Sequence, residues 1–316
     1  MGEHGILSSP LDAIGGTPLV QLRRLVPPRA ARVLVKLEGG NPTGSYKDRM
    51  ARAIVEAAEG RGDLRPGRRV VEYSGGSTGS SLAFVCAVKG YALSIVSSDA
   101  FAKEKLDTMR ALGAEVTLVA SDGGRITPDL FVRMREEVER IVEGEDAWWV
   151  DQFHNADALT GYAALGREIL EAVGASGGRV DAFCAGVGTA GMLVGAAGAL
   201  RRQSAPVRVV ALEPTTSPML TEGRAGPHRV EGIATGIVPP LLAPGTHDEA
   251  ATVDEAEARG LARRLAREEG VFAGTSSAVN VAGALRLAER IGEGGTVVTV
   301  ATDSGLKYLA GDLYRA

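Results

Sequence analysis

At 316 residues the chain is long enough for two domains or one large domain, and its 45% hydrophobic content supplies an ample core. The formal net charge of −4 comes from interspersed acidic and basic residues, so no polyanionic partner such as nucleic acid is expected. No apolar run approaches the length of a membrane span, and the residues from Met1 to Pro10 lack the regions of a signal peptide, so we expect a cytoplasmic protein without a membrane partner.

Short β-rich runs alternate with helical patterns along the chain. The first series predicts strands at 32–37, 69–73, 93–96 and 115–119 and helices at 47–59, 78–89, 103–112 and 129–142. A second series begins near Trp148 and predicts strands at 182–185, 207–212 and 296–301 and helices at 160–172, 192–201, 254–269 and 277–290. Strands separated by helices imply a mainly parallel sheet covered on both faces, with ligands at the carboxyl ends of its strands.

One long stretch interrupts this alternation. Residues 214–248 are rich in Gly, Pro and Thr, contain no predicted strand and exceed the usual loop length, which favours a functional flap over a random coil.

A single lysine stands out at the start of the first helix. Lys47 follows the turn-forming run Glu38-Gly-Gly-Asn-Pro-Thr-Gly-Ser-Tyr46, and a positive charge in a first helical turn is opposed by the helix dipole. Desolvation or covalent capture would keep this amine neutral and would make it a nucleophile able to form a Schiff base.

A glycine-rich element follows the next strand. In Glu72-Tyr-Ser-Gly-Gly-Ser-Thr-Gly79 the glycines allow close backbone approach and the hydroxyls stand at a helix N-terminus, which is typical of an anion site. For a small substrate the natural anion is a carboxylate. The alternative is a Ser/Thr cap with glycines for a tight turn and no ligand.

A second glycine-rich element, Gly186-Val-Gly-Thr-Ala-Gly191, also lies between a strand and a helix, and its amides are suited to a phosphate. It formally matches G-x-G-x-x-G, and Glu213 ends the following strand, so an NAD-binding oxidoreductase is an alternative from a different class. A glycine turn without a ligand is the remaining interpretation.

The last strand is followed by Thr302-Asp-Ser-Gly305, where a hydroxyl is placed to meet a ligand nitrogen or simply to cap a turn. Cys86 and Cys184 each lie in an apolar run, and we expect both to be buried and reduced. The histidines and cysteines show no metal-ligand spacing, so no metal is predicted; the histidines are His4, His154, His228 and His247.

Several motifs in one order resemble the fold-type II pyridoxal-phosphate enzymes, in particular the cysteine synthase and cystathionine β-synthase branch. The motifs that carry this resemblance are 14–20 (IGGTPLV), 36–49 (KLEGGNPTGSYKDR), 213–214 (EP), 226–239, 270–277 (GVFAGTSS) and 303–309 (DSGLKYL). The resemblance spans nearly the whole chain and is far more specific than any single glycine loop.

The resemblance implies an α/β fold with two doubly wound, mainly parallel sheets, similar to that of tryptophan synthase β, with pyridoxal 5′-phosphate between the domains. It implies a smaller, mobile substrate-binding domain at 36–146 and a larger phosphate-binding domain formed by 1–35 and 147–316. A homodimer is expected on the same ground.

The matching motifs imply roles for individual residues of the site. Lys47 is the expected Schiff-base lysine, Ser77 the contact to the 3′-oxygen of the cofactor, and Ser304 the contact to its pyridine nitrogen, with Thr302 or Asp303 as alternatives for the last role. The expected phosphate cup consists of Gly188, Thr189, Ala190, Gly191 and Met192. The expected substrate-binding residues are Ser74, Gly75, Gly76, Thr78, Gln152 and Gly232, the last as part of a mobile wall that extends to Gly236.

The chain also departs from the family pattern. Ser77 replaces an asparagine, so its contact to the cofactor is expected to be shorter or mediated by water. Gly75 removes a substrate-facing hydroxyl and is expected to enlarge the pocket. Ala190 and Met192 replace a glycine and a threonine, which removes one hydrogen bond to the phosphate. These changes concern the substrate more than the cofactor.

The implied activity is β-replacement on an O-activated L-serine such as O-acetylserine, in which an aminoacrylate adds a small nucleophile such as sulfide. A neutral hydroxyl at the pyridine nitrogen makes the ring a weaker electron sink, which favours prompt loss of the β-substituent. Such an enzyme is a transferase or lyase of amino-acid biosynthesis. Alternatives within the family are β-elimination by a dehydratase or desulfhydrase and, if Asp303 meets the nitrogen, racemisation.

Overall fold

The computed structural model describes residues 5–125 and 127–315, so His4 lies outside the described residues. The strands are β1 (Leu19–Gln21), β2 (Arg32–Leu37), β3 (Arg69–Tyr73), β4 (Leu93–Ser98), β5 (Glu115–Val119), β6 (Ala147–Trp149), β7 (Ala182–Gly186), β8 (Arg208–Pro214), β9 (Glu249–Val253) and β10 (Thr296–Ala301). The α-helices are α1 (Lys47–Arg61), α2 (Ser77–Lys89), α3 (Lys103–Ala111), α4 (Pro128–Gly144), α5 (Ala158–Ala175), α6 (Gly191–Leu200), α7 (Met219–Glu222), α8 (Glu255–Arg264) and α9 (Thr275–Ile291).

The predicted strands and helices are confirmed, with ends that shift by at most three residues. One helix differs in kind, because α8 ends at Arg264 and the chain continues as a π-helical turn over Leu265–Glu269. β1, β6, β9 and the short helix α7 were not predicted. β1 has only three residues, and β9 lies at a sheet edge where most of its residues are half-buried, so neither shows a clear apolar pattern.

The chain divides into two compact units. The first unit comprises the described part of Met1–Ile14 together with Asn41–Ala158, and the second comprises Gly15–Gly40 together with the described part of Leu159–Ala316. These limits differ from the expected domain limits for reasons of strand pairing. β2 pairs with β1 and β10, which keeps residues up to Gly40 in the second unit, whereas β6 pairs with β3 and keeps the chain beyond residue 146 in the first.

The first unit is built on a parallel sheet in the order β5-β4-β3-β6. α4 packs on this sheet and buries one apolar stripe against it; the cluster consists of Val71, Val96, Leu130, Met134, Val138, Ile141 and Ala147. Because β3 is a central strand and runs parallel to β6, the segments that follow these two strands emerge as neighbours.

The second unit is built on a sheet in the order β1-β2-β10-β7-β8-β9, in which only β1 runs antiparallel to its neighbour among the described strands. β10 is buried along its whole length, as expected for a strand covered on both faces. α9 is buried over most of its length and supplies Ala278, Val281 and Ala284 to the core. The mainly parallel α/β architecture predicted from the alternation is therefore confirmed in both units.

Cys86 and Cys184 are both free and buried, as predicted. Burial raises the pKa of each thiol to about 12, so neither is a reactive thiolate near neutral pH. None of the described helices combines the length and the apolar character needed to cross a bilayer.

Candidate functional site

Lys47 is the first residue of α1 and is buried, with 7% of its surface exposed. Burial lowers the pKa of its amine to about 8, although the Glu72 carboxylate opposes part of this shift. The amine also lies 5.0 Å from the centre of the Tyr46 ring. The amine is therefore still mostly protonated near physiological pH, but its neutral fraction, the form that attacks a carbonyl carbon, is far larger than that of an exposed lysine.

The start of α1 is held by the next residue, Asp48. Its carboxylate accepts hydrogen bonds from the Thr43 backbone N–H at 2.8 Å, from the Thr43 hydroxyl at 2.5 Å and from the Ser81 hydroxyl on α2 at 2.6 Å. An acidic side chain in the first turn interacts favourably with the helix dipole that disfavours Lys47. Asp48 thus fixes the start of the helix that carries the lysine.

The loop between β3 and α2 is organised by Ser74. Its hydroxyl oxygen accepts hydrogen bonds from the backbone N–H groups of Gly76 at 3.2 Å and Gly79 at 3.1 Å, so it holds the start of α2. Ser77 is the first residue of α2 and is half-buried. The N-cap residue itself is Gly76, so Ser74 stabilises the first turn from outside the helix, and its O–H is left available as a donor.

Thr78 and Gln152 come together in the first unit. The Thr78 hydroxyl donates to Oε1 of Gln152 at 2.7 Å, and both residues are buried. They meet because Thr78 follows β3 and Gln152 follows the neighbouring parallel strand β6. Two segments that are distant in sequence therefore present a hydroxyl and an amide at the same edge of the sheet.

Glu72 anchors this arrangement and was not assigned any role from the sequence. Its fully buried carboxylate accepts from the backbone N–H groups of Tyr73 and Gln152, at 2.8 and 3.0 Å, and from Nε1 of Trp149 at 3.3 Å. Burial raises the pKa of Glu72 to about 7 despite these donors. An acidic residue inside the buried run Val70–Glu72 is the signal that could have revealed it.

Gly75 does not enlarge the pocket, and that expectation was wrong. A Cβ atom at residue 75 would lie 2.2 Å from Cδ1 of Phe101, so the aromatic ring already fills the space that a side chain would take. Phe101 lies beside the Phe131 ring, at 6.5 Å between centres, and packs against the α4 cluster. The volume that a side chain at residue 75 would occupy is therefore filled by the aromatic ring of Phe101, which lies before α3.

In the second unit, the turn between β7 and α6 has the form of an anion cradle. Gly188 passes so close to the Gly232 carbonyl oxygen that a Cβ would lie 2.3 Å from it, and Ala190 adopts a left-handed conformation with φ of 66° directly before α6. α6 begins at Gly191 with no side-chain cap, which leaves its first N–H groups for a ligand. Residues 186–192 contain no basic side chain. These features fit the phosphate of pyridoxal phosphate.

The hydroxyls around Thr302 form a buried group. Oγ1 of Thr302 lies 3.0 Å from the Ser276 hydroxyl and 3.1 Å from the Ser277 hydroxyl, both at the start of α9. Ser276 and Ser277 were not assigned roles from the sequence, because only the fold brings α9 to the end of β10. The run Thr275–Ser277 directly after Gly274 was the available signal.

The other candidates after β10 have visible partners. The Asp303 carboxylate accepts the Tyr308 hydroxyl at 2.6 Å, and the Ser304 hydroxyl oxygen accepts the backbone N–H of Leu306 at 3.3 Å. Ser304 thus caps the 3₁₀ turn over Gly305–Tyr308, and its O–H is still available to donate.

Glu213 is not placed to serve a dinucleotide. Its buried carboxylate accepts from the backbone N–H groups of Leu220 and Thr221, at 2.7 and 2.9 Å, and from the Thr221 hydroxyl at 2.8 Å. Glu213 therefore holds the short helix α7. The NAD-binding alternative loses the acidic residue that it needed in addition to the glycine motif.

Comparison with known proteins gives one family. The family described as "Pyridoxal-phosphate dependent enzyme" matches residues 10–303 of the chain. A cysteine synthase of Staphylococcus aureus (strain Mu50 / ATCC 700699) is 39% identical over 302 residues, which covers 95% of each chain. O-ureido-L-serine synthase of Streptomyces lavendulae is 38% identical and covers 98% of this chain and 93% of that protein.

A solved structure extends the similarity to the fold. The crystal structure of a cysteine synthase from Entamoeba histolytica matches with a TM-score of 0.90 at 31% identity, covering 100% of this chain and 93% of that one.

Proposed function

The chain belongs to the family of pyridoxal-phosphate dependent enzymes, and we propose that it catalyses β-replacement on an O-activated L-serine, such as O-acetylserine, with a small nucleophile. The names of its relatives, cysteine synthase and O-ureido-L-serine synthase, support this class of substrate and product. The observation that carries the proposal is the buried amine of Lys47, whose pKa is lowered to about 8.

The cofactor would be held by residues of this chain in three ways. The Lys47 amine would bond to its carbonyl carbon, and Ser77 would contact its 3′-oxygen. Its phosphate would be bound by backbone N–H groups and the Thr189 hydroxyl in the cup formed by Gly188, Thr189, Ala190, Gly191 and Met192. When bound, pyridoxal phosphate withdraws electrons from the amino-acid Cα.

The pyridine nitrogen would meet a neutral hydroxyl, from Ser304 or from the group that Thr302 forms with Ser276 and Ser277. Asp303 is less suited, because its carboxylate already accepts the Tyr308 hydroxyl. A neutral hydroxyl would carry no negative charge to hold a proton on the ring nitrogen, which would favour β-replacement over racemisation.

The substrate carboxylate would be bound by Ser74, Gly75, Gly76, Thr78 and Gln152. The hydroxyls and backbone N–H groups at the start of α2 supply donors for a carboxylate, and the helix dipole adds to the attraction. Glu72 holds Gln152 in place through its backbone N–H. Gly232 would belong to a mobile wall beside the substrate.

Lys47 would also move the proton. The buried Nζ of Lys47, when not bonded to the cofactor, would accept the proton from Cα of the substrate. A base with a pKa near the working pH combines a useful neutral fraction with proton affinity.

Product analysis tests the proposal. Purified protein with pyridoxal phosphate, O-acetyl-L-serine and sulfide should form cysteine faster than pyruvate, and Lys47→Ala should form neither. Faster pyruvate formation would replace the proposal by β-elimination, and a colourless protein that binds NADH would reject both.

We further propose that the protein is a cytoplasmic homodimer in which the first compact unit, built mainly from Asn41–Ala158, forms the smaller, mobile substrate-binding domain. Family membership is the support for these points. Sedimentation equilibrium of the cofactor-loaded protein tests the oligomeric state.

A further inference from the structure

Ala234, in the segment between β8 and β9, has hydrogen bonds at both its backbone N–H and its carbonyl group. The Ala234 backbone N–H donates to the Val187 carbonyl at 2.8 Å, and its carbonyl accepts from Nε2 of His228 at 2.9 Å. Nδ1 of His228 in turn accepts the Val230 backbone N–H at 3.2 Å, which fixes the tautomer with the proton on Nε2.

Ala234 has a left-handed backbone with φ of 53°, which is unfavourable for a residue with a side chain. The neighbouring residues fit closely to the β7–α6 turn. A Cβ at Gly188 would lie 2.3 Å from the Gly232 carbonyl oxygen, and one at Gly186 would lie 3.0 Å from the Ile233 side chain. The segment 232–234 is therefore held in a defined but strained conformation next to the proposed phosphate cup.

Thr235 follows directly, and its hydroxyl oxygen is buried. None of the described residues gives this oxygen a hydrogen bond. By contrast, the buried Thr299 hydroxyl in the same unit donates to the Cys184 carbonyl at 2.7 Å. Burying a hydroxyl without a partner costs free energy, so such a group in a strained segment calls for a partner that the chain itself does not supply.

The proposed chemistry leaves one polar group of the substrate without a protein partner. The α-carboxylate is assigned to the start of α2 and Gln152, and the α-amino group bonds to the cofactor. The substituent on the β-oxygen remains, and in an O-acyl serine it carries a carbonyl oxygen that accepts a hydrogen bond.

We propose that the Thr235 hydroxyl donates a hydrogen bond to the carbonyl oxygen of the substituent on the β-oxygen of the donor amino acid. This inference rests on the proposed function. Thr235 would then distinguish O-acyl serines from donors whose leaving group has no such acceptor.

The test compares two donors in the cofactor-loaded enzyme with sulfide as the nucleophile. O-acetyl-L-serine carries the carbonyl oxygen, whereas β-chloro-L-alanine does not. Thr235→Val keeps the branched shape and removes the hydroxyl, so the ratio of KM for O-acetyl-L-serine to KM for β-chloro-L-alanine should rise about three- to tenfold. Thr235→Ser retains the hydroxyl and should recover most of that loss.

A second readout does not depend on activity. Because the Thr235 hydroxyl has no partner in the described chain, Thr235→Val should leave the thermal unfolding midpoint of the cofactor-free protein unchanged or raise it. Thr299→Val is the matched control, since it removes a hydroxyl that is hydrogen-bonded, and it should lower the midpoint.

An unchanged KM ratio, or a lower unfolding midpoint for Thr235→Val, overturns this inference. The proposed function is unaffected by that result as long as the wild-type protein forms cysteine from O-acetyl-L-serine. A wild-type protein that forms cysteine from neither donor rejects the proposed function and the inference with it.

Discussion

The Phe101 ring occupies the position that a side chain at residue 75 would take, with Cδ1 and Cε1 each 2.2 Å from where a Cβ would be placed. The two residues are therefore alternatives for one volume. A glycine in the β3–α2 loop and an aromatic residue before α3 have to be considered as a pair, and neither is informative alone.

We expect Gly75→Thr to lower stability by about 1–3 kcal/mol, because the new side chain overlaps an aromatic ring that is packed against the α4 cluster. It should also raise KM for the amino-acid substrate, since the loop proposed to bind the substrate carboxylate would be displaced. Combining it with Phe101→Ala should recover much of both losses, and a double-mutant cycle of urea unfolding and steady-state kinetics measures the coupling.

Gly60→Thr is the control for this cycle, because a Cβ at this exposed helical position meets no atom within 4 Å. It should show only the helix-propensity effect and no coupling to Phe101→Ala. Additive effects of Gly75→Thr and Phe101→Ala would show that the two side chains do not compete.

The buried Lys47 amine should make the cofactor-free protein pH-sensitive. Its pKa is about 8 in the folded state against an ordinary value of 10.5, so between these pH values the unfolded chain binds more protons than the folded one. The free energy of unfolding attributable to this residue therefore rises with pH over that interval. Lys47→Met should lack this rise and should be more stable than the wild type below about pH 8.

Urea unfolding across that pH interval checks the prediction, with Lys89→Met as a control because the Lys89 side chain is partly exposed and its amine pairs with Glu59 at 2.7 Å. If the free energy of unfolding of Lys47→Met rises with pH as it does in the wild type, the rise does not come from Lys47.

Glu72 should have the opposite effect on the pH dependence of stability. Its pKa is raised from 4.5 to about 7, so between these pH values the folded state binds more protons than the unfolded chain. The contribution of Glu72 to the free energy of unfolding is therefore complete below about pH 4.5 and is lost as pH rises through about 7. Glu72→Gln should remove this dependence. Because Trp149 donates to Glu72 through Nε1, the fluorescence of Trp149 in a Trp148→Phe background should titrate near pH 7.

That fluorescence transition should be absent in Glu72→Gln. The same variant should raise KM for the amino-acid substrate by about tenfold, since the Gln152 backbone N–H loses a charged acceptor. A transition that persists in Glu72→Gln would have to be assigned to another group.

Ala190→Gly should stabilise the protein by up to about 1 kcal/mol, because glycine adopts the left-handed backbone at this position without the strain of a Cβ. Ala190→Val should be destabilising. The matched control is Ala196→Gly in the interior of α6, which should cost about 1 kcal/mol. Thermal unfolding of all three variants tests these expectations. A loss of stability in Ala190→Gly would show that the backbone at Ala190 is not strained.

Local patterns predicted the elements well, because β3, α2, β7 and α6 each have an apolar run bounded by glycine or a cap. The motif order also located Lys47 and the two glycine turns. Residues that act through distant partners were missed: Phe101 reaches Gly75, and Ser276 and Ser277 reach Thr302, only after the sheets form. Gly75 was misjudged for this reason, since an absent side chain does not reveal which neighbour fills its space.

Asp48 has a mechanical consequence. Its carboxylate links α1 directly after Lys47 to Ser81 on α2, one helical turn beyond Thr78. The helix that carries the proposed base is thus hydrogen-bonded to the helix that follows the proposed carboxylate-binding loop, so a displacement of α1 would be passed on to α2. The distance between Lys47 and the loop proposed to bind the substrate carboxylate is therefore expected to change little when substrate binds.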